Sequence, residues 1–365
     1  MKRFCLSGLL LFVLVLAWII PPADACTTFC LRKGSTAVFG KNYDWHFDDG
    51  LVLVNKRGVA KTAAPPSNGP PAQWTSKYGS VTFNQFGREF PNGGLNEAGL
   101  ALELMWLDET LYPTPDQRPV LSALEWIQYQ LDNYATVDEV AKNAGRLRVT
   151  SEGKVHFLAC DKGGSCATVE FLDGKPVVHA GASLPAPALA NHTYDESLRF
   201  LKANRNGQGN GQALAGHGSL QRFARAASRA EAFGSRGDIG DSDPVGYAFA
   251  TLDDVAQGDF TQWSIVYDLR AGRVHWRTRQ NRAVRSMALS SFDLSCSAPV
   301  KVLDVQTGEG DVARRFADYT PEANRRLVAS SYRKVQTAVK VRPEELDATL
   351  AQPARTSCTL GAPRR

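Results

Sequence analysis

Cys26 follows an apolar run and a small-residue site, and a cysteine freed there by proteolysis carries two functions on one residue. Its thiol is a nucleophile, and its new α-amine, with an ordinary pKa of about 7.7–8.0, is a base that works near neutral pH. Such a residue attacks a carbonyl without a separate histidine. The segment to be removed is residues 1–25: Lys2 and Arg3, apolar residues from Leu6 to Ile20, then Pro21-Pro22 and Ala23-Asp24-Ala25. The run is about 15 residues, short of the roughly 20 that cross a bilayer, and the proline pair breaks a helix. It therefore reads as a signal peptide, with a periplasmic or secreted destination and no stable membrane insertion after cleavage.

Two plainer readings of Cys26 compete with catalysis. It is an ordinary structural cysteine, or it is the lipid-bearing cysteine of a secreted lipoprotein or binding module. Lipoprotein sites usually have an aliphatic residue three before the cysteine and a small one two before it, whereas Ala23 and Asp24 stand here. The other residues with chemical capacity are equally open one by one. Asp44 and Asn191 read as turn residues, Arg222 as one of three arginines with Arg225 and Arg229 on a helix face, and Trp45 and Trp106 as core.

In order along the chain stand Cys26-Thr27-Thr28-Phe29, Phe39-Gly40-Lys41-Asn42-Tyr43-Asp44-Trp45 and Gly94-Leu95-Asn96-Glu97-Ala98-Gly99-Leu100. With these three motifs the sequence resembles the choloylglycine hydrolase family, amidases with an N-terminal nucleophile that include penicillin V acylases and bile salt hydrolases. The resemblance extends from Cys26 to about Arg277. It implies an α+β, four-layer αββα N-terminal-nucleophile (Ntn) hydrolase fold over residues 26–365, with hydrolysis of a linear amide bond.

The resemblance also implies roles. Cys26 is the nucleophile, Asp44 holds its amine, and Arg222 lies beside it. Asn191 donates its side-chain amide to the oxyanion, and the Trp106 backbone N–H is the second donor. Lys41 stands where the family commonly has arginine, so charge is kept while the planar five-donor fork is lost. Trp45, Trp106 and Tyr43 are the expected substrate-binding residues. Tryptophans favour phenoxyacetyl or fatty-acyl amides over bile salts. No cofactor or metal is implied; the partner is a small N-acyl amide, and the homo-oligomeric state is left open. An acyltransferase on a related fold is the alternative enzyme.

These residues need elements to hold them. The segment Thr27 to Leu31 and the run Ala37-Val38-Phe39-Gly40 flank a Lys33-Gly34-Ser35 turn and predict a hairpin, with a third strand from Leu51 to Val54. A turn at Gly94 leads into a buried strand through Leu100, Leu102 and Leu104. Helical spacing of Val120, Leu121, Leu124, Ile127 and Leu131 predicts a helix, and Thr136-Val137-Asp138-Glu139 a capping box for another. A strand meander is expected at Val155 to Leu158, Ala167 to Phe171 and Pro176 to His179. Helices follow from Asp195 to Ala203 and from Leu220 to about Phe233. The polar loop Asn206 to Gly218 between them is a candidate wall of the site. Further strands are expected at Trp263 to Asp268 and Arg273 to Arg277.

The chain has 365 residues, 43% hydrophobic, the composition of a globular protein. Without residues 1–25 its 42 basic and 37 acidic residues fall by two and one, leaving a net charge of +4. That is too mild for a nucleic-acid partner. Six cysteines remain in an oxidising compartment, and none is in a zinc pattern. Cys160 and Cys166 flank a tight turn and are expected to pair; Cys296 and Cys358 are the second expected pair.

Overall fold

The computed structural model describes residues 26–64, 69–205, 216–235, 243–335 and 343–359. The segment read as a signal peptide lies outside them, as do residues 65–68 and residues 206–215 of the polar loop.

Strands β1 (Thr27–Lys33) and β2 (Thr36–Asp44) form the expected hairpin, with Thr27 opposite Asn42. Strands β3 (Leu51–Asn55), β4 (Ser80–Asn84), β5 (Gly93–Asn96) and β6 (Ala101–Trp106) follow as an antiparallel series. Helix α1 (Ala123–Asn133) starts later than the apolar spacing predicts. Ser122 and Glu125 close a capping box, and Val120 and Leu121 pair instead with Arg148 and Val149. Helix α2 (Val137–Asn143) has the expected Thr136–Glu139 box. Next come the meander β7 (Val155–Cys160), β8 (Cys166–Leu172) and β9 (Lys175–Ala180) and the short β10 (Ala188–Leu189). Helices α3 (Tyr194–Arg205), α4 (Ser219–Ser235) and α5 (Pro244–Asp254) precede β11 (Thr261–Asp268), β12 (Arg273–Thr278), β13 (Arg285–Ala288) and β14 (Lys301–Asp304). Helices α6 (Pro321–Val335) and α7 (Pro343–Ala351) lie in the C-terminal part.

Two large sheets result among the described residues. One runs β10-β1-β2-β11-β12-β13 and the other β9-β8-β7-β6-β5-β4-β3-β14, each extended by a two-residue edge strand. Helices α4 and α5 pack on β1 and β2 of the first sheet, and α1 and α2 on β5 to β8 of the second. This is the expected αββα order. It explains why Thr27 to Leu31 are all buried rather than alternating: a strand with both faces covered has no polar side.

Residue parity on β6 shows the layers. Leu102 and Leu104 belong to the core cluster under α1 and α2, whereas Ala101 and Met105 join the cluster between the sheets. Glu103 shares their parity. Disulfides join Cys160 to Cys166 across the β7–β8 turn and Cys296 to Cys358, while Cys26 and Cys30 are free. No helix among the described residues is long and apolar enough to cross a membrane.

Candidate active site

Cys26 immediately precedes β1, and the hairpin register brings it to the end of β2, where its backbone nitrogen donates to Asp44 Oδ2 at 3.0 Å. Asp44 is fully buried and held from three other directions. Thr261 donates to Oδ1 at 2.5 Å, Gln257 to Oδ2 at 2.8 Å, and Arg222 Nη1 lies 3.9 Å from Oδ2. A bulge in β11 after Thr261 turns its hydroxyl toward this carboxylate. The anion is therefore fixed in place before any substrate arrives.

Arg222, on α4, links the rest. It donates to the Cys26 carbonyl at 2.6 Å, to Thr27 Oγ1 at 2.5 Å and to Asn191 Oδ1 at 2.8 Å. The sequence leaves it indistinguishable from Arg225 and Arg229, but of these three Arg222 alone is fully buried. A buried guanidinium needs this many partners, since an unpaired charge there costs several kcal/mol.

Asn191 follows β10, with its backbone N–H on Ser219 Oγ at 2.7 Å. Its side-chain amide donates to the Trp106 carbonyl at 2.9 Å, using one of two hydrogens. The ladder settles where the Trp106 N–H points. Leu107 N bonds Lys154 O on the β7 side and Leu104 N bonds Asn92 O on the other, so Trp106 turns both its N–H and its carbonyl away from β7. The two expected oxyanion donors thus lie on one side of β6. Trp45 and Trp106 are half-buried with ring centroids 6.5 Å apart. Tyr43 packs beside Trp45 and stacks on Trp263, while its hydroxyl donates to Gln85 and accepts from Asn92. Its polar end is committed to the core.

Lys41 is buried between the sheets, where it donates to the Leu104 carbonyl and lies 3.7 Å from Met105 Sδ and 3.8 Å from Glu103. Burial pushes the Cys26 thiol up, the Lys41 ammonium pulls it back down, and Asp44 pushes it up again.

Sequence reasoning missed several residues here. Gln257 and Thr261 orient Asp44 but look like loop residues in the sequence. His156 on β7 is buried, with Nε2 2.7 Å from the Ala190 carbonyl and Nδ1 3.0 Å from Glu170 Oε1. A carbonyl only accepts, so Nε2 is the donor in this bond. This bond crosses from one sheet to the segment that bears Asn191. A histidine in an apolar strand was the available signal. Glu103, one carboxylate in the apolar run of β6, was another. A surface cavity between Arg57, Lys162, Arg270 and Phe292 shares no residue with this cluster.

No protein-family model matches the chain. Over 124 residues it is 40% identical to a penicillin V acylase of Pectobacterium atrosepticum, a stretch covering 29% of this chain and 33% of that protein. The match thus spans about a third of that relative's length. The structure of a penicillin V acylase from Agrobacterium tumefaciens superposes with a TM-score of 0.70 at 28% identity, over 81% of this chain and 98% of that one. A conjugated bile acid hydrolase variant from Clostridium perfringens superposes with a TM-score of 0.63 over 78% and 98% of the two chains; at 16% identity this likeness is one of fold alone.

The chain has the four-layer Ntn-hydrolase fold. Within that class, the chain is similar to penicillin V acylases in sequence over part of its length and in structure over most of it.

Proposed function

We propose that this chain hydrolyses linear amide bonds of N-acyl compounds, as a penicillin V acylase-like enzyme whose nucleophile is Cys26 with its own α-amine as base. The observation that carries the proposal is the 3.0 Å bond from Cys26 N to a carboxylate that is buried and fixed by Thr261 and Gln257. A structural cysteine has no need of an anion oriented on its nitrogen. Cys26 also has φ of +74°, the left-handed region, which costs a non-glycine residue roughly 1–2 kcal/mol. That dihedral disappears when Cys26 begins the chain.

In this reading the amine takes the thiol proton, directly or through water, and the thiolate attacks the amide carbonyl. The second Asn191 amide hydrogen and the Trp106 N–H receive the oxyanion. The protonated amine then passes its proton to the leaving amine, and water hydrolyses the acyl-enzyme. Trp45 and Trp106 form an apolar wall suited to an aryl or alkyl acyl group. Residues 1–25 direct the chain to the periplasm or beyond, a destination that agrees with two disulfides.

The test is a homogeneous protein with one extra residue before Cys26, verified by intact mass. Its amine becomes a non-basic amide, so turnover of phenoxyacetyl and fatty-acyl amides is expected to vanish while the fold persists. Undiminished turnover in that form refutes the proposal.

A further inference from the structure

The thiol has a second polar neighbourhood behind it, between the two sheets. Lys41 comes from β2, Glu103 from β6 and Tyr267 from β11. Glu103 Oε2 is 3.8 Å from Lys41 Nζ, and Tyr267 donates to Glu103 Oε1 at 2.5 Å. The pocket for this carboxyl is built into the backbone. Gly93 is paired with Glu103, and a β-carbon at residue 93 would fall 2.1 Å from the Glu103 carboxyl carbon. No larger residue fits at position 93 unless the carboxyl moves. A buried acid with a shaped slot and a hydroxyl donor is a costly feature, and the steps proposed above do not use it.

We propose that Glu103 is a positioning residue for the Cys26 thiol, acting through Lys41: its charge decides how much of the ammonium's field reaches the sulfur. When Glu103 is ionised, it and Lys41 cancel each other. When Glu103 is protonated, Lys41 is left to the thiolate. That this position is a lysine gives the pair its meaning. Nζ is a compact charge whose partners are one carbonyl, one thioether, this carboxylate and the Cys26 thiol, whereas a guanidinium would spread its charge over a five-donor fork.

Burial pushes the Glu103 carboxyl up to about 7, with the Lys41 ammonium and the Tyr267 hydroxyl pulling the other way. Its charge therefore changes near the pH at which the enzyme would work. The titratable groups that face it are Lys41 and Tyr43 from β2 and Tyr267 from β11; its β5 partner is glycine and its β7 partner is Leu158. On the thiol side stand Lys41, Asp44 and Tyr43, with the Arg222 guanidinium on the Cys26 carbonyl.

This inference rests on Cys26 being the nucleophile, so its test reads the thiol rather than turnover. Processed protein is treated with iodoacetamide across pH, and carbamidomethylation of the Cys26 peptide is quantified by mass spectrometry. Cys30, whose thiol burial pushes up to about 12, is the internal control. Glu103→Gln keeps the shape and the Tyr267 bond while removing the negative charge, so the Cys26 midpoint is expected to fall by about 1 pH unit, the lower end of what a nearby charge exerts. Tyr267→Phe removes a donor that favours ionised Glu103, so it shifts the midpoint the same way by less and supplies an answer should the first variant fold poorly. In a Lys41→Met background the Glu103→Gln effect should disappear. A profile superimposable on the parent's, a rise, or an equal fall without Lys41 overturns the proposal. Unaltered amide turnover in Cys26→Ala instead overturns the nucleophile reading, whatever the alkylation profiles show.

Discussion

Asp44→Asn isolates the charge at the candidate site with little change of shape. The two Asp44 oxygens accept from Cys26 N at 3.0 Å and Gln257 at 2.8 Å on one side, and from Thr261 at 2.5 Å on the other. An amide can keep its oxygen toward Cys26 and Gln257 and turn its NH2 toward the Thr261 hydroxyl, which can accept. Geometry survives and the negative charge does not. A hydrogen bond to a charged group is worth about 1.5–3 kcal/mol against about 0.5–1.5 for a neutral pair, so roughly 1–1.5 kcal/mol of orientation is lost, close to tenfold in rate. The pH profile carries the sharper sign. A carboxylate beside the α-amine favours its protonated form, and Asp44 also pushes the thiol up. Removing the charge lowers both, so the acid limb of kcat/KM moves to lower pH by about 1 unit or more, as the plateau falls about tenfold. Steady-state kinetics on a phenoxyacetyl amide from pH 5 to 9 is the assay. A variant with the parent's acid limb and the parent's plateau would refute the assignment of Asp44 to the amine.

Two further substitutions separate function from packing. Trp106→Ala is expected to raise KM for phenoxyacetyl and long-chain amides much more than for acetyl amides, because the backbone donor stays in place; an equal loss for both would make the indole plain core. His156→Leu removes the donor to the Ala190 carbonyl and is expected to lower kcat about tenfold with KM little changed, while His156→Gln, whose amide can reach the same carbonyl, recovers most of the rate. Equal losses in the two variants would leave His156 without a positioning role.

The candidate cluster was more legible in the sequence than the frame that holds it. Local patterns gave the β1–β2 hairpin, the β7–β9 meander and the α2 capping box because turn residues and caps act over a few positions. The same logic misplaced Val120 and Leu121. They satisfy helical spacing, but the Ser122 cap and a parallel partner in Arg148–Val149 claim them for a strand. Helix α5 was not anticipated, although Asp243 caps it and Pro244 begins it. Cys26 and Asp44 were singled out through two motifs and an expected cleavage site, and Asn191 and Arg222 through the family resemblance, not through physics visible at each residue. What stayed hidden is contact between distant residues: Thr261 and Gln257 on Asp44, His156 on Ala190, and Glu103 against Lys41 join residues 34 to 217 positions apart, which no local period encodes. Parity on β6 does hint at Glu103, since a carboxylate sharing a face with Ala101 and Met105 must find a partner between the sheets.

The central claim is that a chain beginning at Cys26 carries the acyl group on that cysteine. Rapid acid quench during turnover of a slowly hydrolysed N-acyl amide, followed by intact mass and peptide mapping, tests it directly. The account predicts a mature chain starting at Cys26 whose mass rises by one acyl group, mapped to the Cys26 sulfur and absent from Cys26→Ala. Turnover by a chain with a blocked or different N-terminus, or an acyl adduct on any other residue, would contradict it.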